Sequence, residues 1–544
     1  SCFYHDSAAC LIKNGEILYA IQEERLSRIK HDSSFPINSI SQILKKENIK
    51  LSEVEKIIFY EKPFLKFERI IETYIAFAPK GIKSFLKAIS LWIKDKLFQK
   101  YNMFNELKSI DPSFKDIDKI LFSEHHLSHA ASAFYPSKFS KSAILTLDAV
   151  GEWATTSIAI GSENEIEIKE EINYPHSLGL IYSAFTYFCG FKVNGGEYKL
   201  MGLAPYGRPI YKEKILENLI KINSDGSFIL NMNYFDYCTG FTMTNENFNK
   251  LFGSKPRKND ELISQFHMDL ASSIQEVLEE IILKICRYIK DKYAVENLCL
   301  AGGVALNCVA IGKIIKQKIF KEIWIQPAAG DAGGSLGAAL AYWFLEKKEL
   351  RKLNLDIHED KMKGSYLGFQ NSQSEITKIL NENKIEYTEM EYEEMIKFTA
   401  EYLSKGNAIG WFQNKMEFGP RALGSRSILA DPRDKNMQKK LNLSVKFRES
   451  FRPFAPIILK SELSNWFDLD VESPYMGVVT KLRSNKIIFN EGFKNEKIEL
   501  NNIHDTRSVV PAITHVDYSA RIQTVDGKNN KEIFHLLKKF YEIT

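Results

Sequence analysis

The sequence predicts an α/β protein built as two domains, and three observations carry that prediction. From 118 to 345 the chain alternates apolar strand-like runs, glycine turns and helical patterns. A hydrophilic stretch, KKELRKLNLDIHEDKMKG at about 347–364, interrupts the pattern and reads as a linker. Beyond it, 366–544 shows a second α/β pattern with its own apolar positions. A chain of 544 residues is also too long for a single core.

Residues 1–25 predict a hairpin, SAACLIKN then GEILYAIQEE, turning at Asn14-Gly15, because Asn-Gly between two apolar alternations is a strong hairpin signal. LSEVEKIIFYEKP predicts a helix and then a strand. The stretch 64–105 is amphipathic and aromatic with Lys and Arg between, and predicts a helical insertion packed on its own domain rather than a membrane-surface segment. ILFSE, AILTLDA, TSIAIGS, IEIKEEI, LCLAGG and EIWIQP predict strands. SLGLIYSAFTYFCG, the long run ELISQFHMDLASSIQEVLEEIILKICRYIKDKY and GSLGAALAYWFLEKK predict helices. FYHDSAACLIKNGEI and LDAVGEWATTSIAIG each place an acid and a turn before a strand, which suggests a distant duplication. The chain opens at Ser1 inside a strand-turn element and stops at FYEIT after a helical pattern, so both ends read as cut.

Composition narrows the function classes. A hydrophobic content of 44 % and a charged content of 26 % are those of a globular chain. A net charge of +4 gives no nucleic-acid footprint. Seven scattered cysteines without a C-x-x-C pair fit the reduced thiols of a cytoplasmic protein. Neither a signal peptide nor a membrane span is visible.

The segment 124–137, EHHLSHAASAFYPS, carries the first chemistry. His125 and His129 lie four apart in a helical pattern, so both imidazoles leave one face. The following strand ends on Asp148, a third candidate ligand. Nitrogen and oxygen donors together suit Fe(II), Zn or Mn. AGGVALN at 301–307 sits between a strand and a helix, where glycines admit a ligand to the backbone and Asn307 could bond a ribose or phosphate. QPAAGDAGGSLGAAL repeats that arrangement around Asp331, a candidate ligand or a plain helix cap. NGGEYKLMGLAPYG joins Glu197, Lys199 and Tyr206 in a loop able to close over a substrate. From 412 to 456 the chain is rich in Arg beside Phe and Pro, including Arg421, Arg426, Arg433, Lys446, Arg448 and Arg452. Rigidly held guanidinium forks suit phosphate. Ser450 and Lys446 have no evident partners for nucleophilic catalysis, and no Walker-type phosphate loop is present.

In series, FYHDSAA, EERLSRIKHDSSFP, HHLSHAASAFYPS, GEYKLMGLAPYG, LAGGVALN, QPAAGDAGGSLGAA, MEFGPRALGSRSILADPR, KFRESFRPFAP and PAITHVDYSARIQTV resemble the NodU/CmcH/TobZ family of O-carbamoyltransferases. The resemblance implies an actin-like ATPase domain over 1–350 and a YrdC-like α/β domain over 366–544, truncated at its C-terminus. It implies a two-step reaction. Carbamoyl phosphate and ATP (with Mg) give carbamoyl adenylate in the second domain, and an acceptor hydroxyl takes the carbamoyl group in the first.

Carried onto this chain, the family's metal ligands are His125, His129, Asp148 and Asp331, for Fe(II) or another divalent ion. Adenylate-binding positions fall at Gly303 and Asn307, with Lys62 and Lys66 as further candidates. His5 matches a histidine of the transfer step and would be the catalytic base. Carbamoyl phosphate and ATP would meet Arg421, Arg426, Lys446, Arg452 and Arg521. Two positions depart from the family pattern: Ala149 stands where Gly is usual, and Ile311 where Asn is usual. The acceptor would be a small hydroxylated molecule, a sugar or natural product, with no nucleic acid or membrane partner; the resemblance also admits a homodimer. A threonylcarbamoyl transferase acting on tRNA and a non-catalytic actin-like nucleotide-binding module are the alternatives.

Overall fold

The computed structural model describes residues 1–353, 359–446, 448–449, 451–488 and 506–544, without the side chains of 90, 91, 94 and 95. It is a mixed α/β structure in two compact units, Ser1–Lys361 and Met362–Thr544.

The first unit opens with the hairpin β1 (Ala8–Lys13) and β2 (Glu16–Gln22). Asn14 and Gly15 turn it, with φ of 53° and 77°, the left-handed pair that a two-residue turn requires. β3 (Ile57–Phe59) and β4 (Ile120–Phe122) form a short parallel pair. Between them lies the insertion, three helices at Pro63–Ala76, Ile82–Trp92 and Gln99–Ile110. The helix expected over LSEVE is only a single 3₁₀ turn, Leu51–Glu53.

A five-stranded sheet centres the unit: β5 (Lys141–Leu147), β6 (Ala154–Ser162), β7 (Glu165–Asn173), β10 (Asn297–Ala301) and β11 (Glu322–Ile325), in the order β11-β10-β5-β6-β7. β8 (Ile220–Ile222) and β9 (Phe228–Leu230) make a separate small hairpin. β5 runs parallel to β10 and antiparallel to β6. Its Ala143, Ile144, Leu145 and Leu147 are all buried, hence its continuous apolar run. β7 is an edge strand whose side chains alternate between exposed and half-buried, with Glu165, Glu167 and Glu171 on the exposed side.

Two helices meet here at unusually close range, the first packed on this sheet and the second on the first helix, β1 and β3. One is His125–Phe134; the other is Asp331–Ala341, DAGGSLGAALA. A Cβ on Gly337 would fall inside the Ser128 carbonyl oxygen, and one on Gly334 would lie 2.7 Å from Tyr60 Cδ2. The small-residue run is therefore a packing surface, and it sets how near Asp331 comes to the histidine helix.

The polar stretch read as a linker is anchored on the first unit at its start. Arg351 is buried; its guanidinium donates to the carbonyls of Phe134, Ser137 and Phe139 at 2.7–2.8 Å and lies over the Phe134 ring. Residues 354–358 of that stretch lie outside the described residues.

In the second unit β12 (Ala408–Phe412) pairs antiparallel with β13 (Arg426–Ala430). β16 (Ser519–Val525) lies between β14 (Ile457–Leu459) and β15 (Val478–Lys481). Helices Tyr392–Ser404 and Lys531–Ile543 close its core through Ile396, Ala400, Leu403, Ile533 and Leu536 against Trp411 and Val525. Among the described residues no helix is long and apolar enough to cross a membrane, and all seven cysteines are free.

Gly337→Ala should force the two helices apart and lower the stability of the first unit by about 3 kcal/mol, read as an earlier thermal unfolding transition.

Candidate active site

The histidine helix starts where a carboxylate holds its backbone. Glu152 accepts the His125 N–H at 3.1 Å to each oxygen and the Lys62 N–H at 2.6 Å, supplying a partner for a free helix-terminal donor. Helical spacing then puts His125 and His129 one above the other, with ring centroids 4.6 Å apart. His126 is buried as well, but its ring turns to β6, where Nδ1 meets Ser157 Oγ at 2.9 Å. Burial, and then His125, push the His126 pKa down to about 3, so it is a neutral structural histidine.

Asp148 follows the end of β5, and Asp331 begins the small-residue helix. Both reach the two imidazoles. His125 Nε2 lies 3.1 Å from Asp148 Oδ2, 3.1 Å from His129 Nε2 and 3.7 Å from Asp331 Oδ1. His129 Nε2 lies 3.6 Å from Asp331 Oδ1 and 4.0 Å from Asp148 Oδ2. Such separations are those of donors placed about 2.1 Å from a common centre. The other carboxylate oxygens are held from outside: Asp148 Oδ1 accepts the Gly303 N–H at 3.0 Å, and Asp331 Oδ2 accepts the Tyr60 hydroxyl at 3.2 Å. Gly302, at φ 85°, makes the first of these contacts feasible; a Cβ there would strike the Leu147 carbonyl.

Four buried groups with two carboxylates need positive charge. Burial alone would raise both carboxyl pKa values. The His125 hydrogen bond outweighs it at Asp148, and His5 with His129 outweighs it at Asp331, so both are lowered. Burial would lower His125, but Asp148 and Asp331 raise it to about 9. The charge on His125 thus stands where a divalent cation would. The Nδ1 atoms of His125 and His129 are buried without a hydrogen-bond partner. The donor set fits a divalent ion: mixed nitrogen and oxygen ligands, clustered and buried.

His5 lies beside this cluster, its Nε2 3.7 Å from Asp331 Oδ2 and its Nδ1 2.9 Å from Asp6 Oδ2. Asp6 Oδ1 in turn meets His31 Nδ1 at 2.8 Å, and the His31 N–H donates to Glu24 at 2.9 Å. Burial acts to lower the His5 pKa, but Asp331 and Asp6 raise it to about 9. Sequence reading missed Tyr60, Asp6, Glu152, Glu24 and His31. The last two lie in EERLSRIKHDSSFP, a segment recognised only as part of the family pattern; Tyr60 follows β3, where an aromatic is an ordinary core residue and does not mark a site.

The other expected residues disperse. Gly303 sits at the cluster. Asn307 is engaged structurally: its side chain caps the helix at Ala310 N and forms a reciprocal amide pair with Gln275. Lys62 pairs with Glu124 on the surface, and Lys66 with Lys96 flanks the buried Glu61. Glu197 ties down its own loop through Ser183 and the N–H groups of Asn194 and Gly196.

In the second unit Arg426 directs its guanidinium to the carbonyls of Gln413, Asn414 and Ser425 and stacks on Phe412, so its donors hold the β12–β13 turn. Arg433 grips Asp431. Lys446 stands near Arg448 and Arg452; burial, and then these two cations, lower its pKa. Arg448 is held by Asn442 at 2.6 Å, and Arg452 faces Glu449 at 3.5 Å. Arg421 is half-buried near the β13 entry, and Arg521 is on β16. Ser450 lies outside the described residues.

Comparison with known proteins places the chain in a class. The family model for the carbamoyltransferase N-terminus matches residues 1–340, and that for the C-terminus matches 400–544, so the chain belongs to the carbamoyltransferase family and is an enzyme of that class. It is 49 % identical to an uncharacterized protein of Synechocystis over its whole length and 88 % of that protein. It is 33 % identical to the nodulation protein NolNO of Sinorhizobium fredii, over its whole length and 73 % of that protein. It is 30 % identical to the 3'-hydroxymethylcephem-O-carbamoyltransferase of Streptomyces clavuligerus, over 45 % of this chain and 39 % of that one.

Glu61 gives a pH-dependent test of the site's support. Burial would raise its carboxyl, but Lys66 and Lys96 hold it down at about 2 against an ordinary 4.5. A depressed carboxyl stabilises above its unfolded pKa and loses that contribution as pH falls through the folded value. Glu61→Gln should therefore destabilise the first unit by about 3 kcal/mol at pH 7. Urea unfolding should show the gap shrinking as pH falls from 4.5 toward 2.

Proposed function

We propose that the chain is an ATP-dependent O-carbamoyltransferase with a metal-supported transfer site in its first unit. The observation that carries this reading is the buried cluster of His125, His129, Asp148 and Asp331 with His5 at its edge, in a chain of the carbamoyltransferase family. Under this reading the first unit has the actin-like fold and the second the YrdC-like fold.

Adenylation is assigned to the second unit. Carbamoyl phosphate loses phosphate to water as carbamate, and a carbamate oxygen attacks the α-phosphorus of ATP, releasing pyrophosphate and leaving carbamoyl adenylate. Lys446, Arg448 and Arg452 are the cations gathered there, and clustered positive charge suits two polyanionic substrates. Arg421 and Arg521 extend this set; Arg426 contributes by holding its hairpin.

Transfer is assigned to the His/Asp cluster. Bound there, Fe(II) or another divalent ion would supply Lewis acidity and neutralise a phosphate. The Gly303 backbone N–H and Tyr60 hydroxyl orient the two carboxylates. His5 is favoured as the neutral imidazole once a cation at the cluster offsets the Asp331 charge that raises its pKa. Oriented through Nδ1 by Asp6, it then takes the acceptor hydroxyl proton at Nε2 as the oxygen attacks the carbamoyl carbon and AMP departs.

The decisive measurement is exchange of pyrophosphate into ATP, which should depend on carbamoyl phosphate. Exchange supported by threonylcarbamate instead would reassign the chain to tRNA modification, and none at all would remove the adenylation step. His129→Ala should reduce bound metal, read by elemental analysis, and slow transfer by about 100-fold or more while exchange persists. Lys446→Ala should weaken exchange and leave the metal content alone.

A further inference from the structure

We propose that the cavity beneath the helical insertion is the acceptor pocket, and that it takes a sugar phosphate. The inference rests on the transferase reading above and deepens it by naming a substrate class.

The cavity measures about 670 Å³ and is formed by the start of the chain, the insertion helices and the segment around Tyr174. That volume lies within the range of about 300–1,000 Å³ of small-molecule sites. Its walls are of two kinds. Tyr4, Tyr74, Trp92 and Tyr174 supply ring faces; Tyr74 and Trp92 meet at 5.6 Å between centroids with a 48° tilt, forming a corner. Aromatic faces of that kind suit the C–H face of a pyranose. Lys66, Arg69 and Lys96 supply positive charge.

The charge is only partly balanced. Among the described lining residues there is no carboxylate. Beneath the floor Glu61, itself buried, holds Lys66 at 2.5 Å and Lys96 at 3.1 Å. Glu152 also acts on Arg69, so three cations stand against two carboxylates outside the lining, and the walls themselves present positive charge suited to a phosphate. Each ammonium has three N–H donors, so Glu61 does not exhaust them. Arg69 directs Nη1 to the Gly151 carbonyl at 2.9 Å and stacks on Tyr174, which holds its fork rigid in the wall.

The position suits an acceptor. The Tyr4 ring lies under Lys66 and 4.6 Å from the His5 ring, so the cavity wall is continuous with the proposed base. Gly151, which Arg69 holds, packs on His125. A phosphate at Lys66 and Lys96 would leave the sugar between the aromatic rings, with a hydroxyl toward His5.

Calorimetric titration of the full chain tests this with a panel of hexose and pentose 1- and 6-phosphates. Each is compared with its parent sugar and with inorganic phosphate. At least one sugar phosphate should bind about tenfold or more tighter than both of its halves. Lys96→Gln and Trp92→Leu should each weaken that binding about tenfold, with Lys96→Arg restoring it and circular dichroism unchanged. No phosphate-dependent binding anywhere in the panel, or binding indifferent to Lys96 and Trp92, would overturn the proposal. Pyrophosphate exchange separates the two readings. Exchange without sugar phosphate binding sinks the pocket assignment alone, whereas binding without exchange sinks the adenylation chemistry and leaves the ligand class standing.

Discussion

The contact of Gly337 against the Ser128 carbonyl is the constraint on which the first unit depends. Helices separated by ordinary side chains keep their axes about 8–10 Å apart. Here one helix offers only Ala, Gly and Ser near the contact, so its backbone presses on that of the histidine helix. Asp331 opens that helix, and its carboxylate therefore reaches His125 and His129 instead of solvent. Tyr60 fills the hollow over Gly334 and bonds the same carboxylate. One packing decision thus places two ligand types and their support.

Charge in this unit is arranged in alternation. Asp148 and Asp331 face His125, His129 and His5, and Asp6 lies between His5 and His31. On the other side of Tyr4, Glu61 lies between Lys66 and Lys96. Buried ions persist only with partners of opposite sign. The consequence is an acid-rich centre next to a cation-rich cavity, two environments divided by an aromatic ring.

The sequence made legible what depends on local spacing. The hairpin at Asn14-Gly15, six of the eight strands between 120 and 327 (all but β8 and β9) and the choice of His125 over His126 follow from short-range periodicity or turn chemistry. Asp148 reads as a third ligand from its place at a strand end soon after the histidine helix, but joining Asp331 to the same set comes only through family likeness, because it depends on packing across nearly 200 residues. Asn307 and Arg426 show the limit from the other side. Each is a good ligand by residue type, but a helix terminus and a hairpin turn take their hydrogen bonds first. Glu61 and Tyr60 carry no sequence signal of a site, since each draws its role from partners distant in the chain, Lys96 for one and Asp331 for the other. The polar stretch after 347 does hold the boundary between the two units, but a charged residue in it need not be solvated: Arg351 finds three carbonyls in the interior.

The free edge of the central sheet has a bearing on assembly. The exposed row of β7 carries Glu165, Glu167, Lys169 and Glu171, three acids against one base, and a second copy of β7 laid alongside the first would meet the same acidic excess. Like charges across paired strands repel, and edge strands that carry them resist recruitment into larger sheets. The strand that ends the sheet thus carries, on its exposed row, an acidic excess that disfavours β-propagation from this edge.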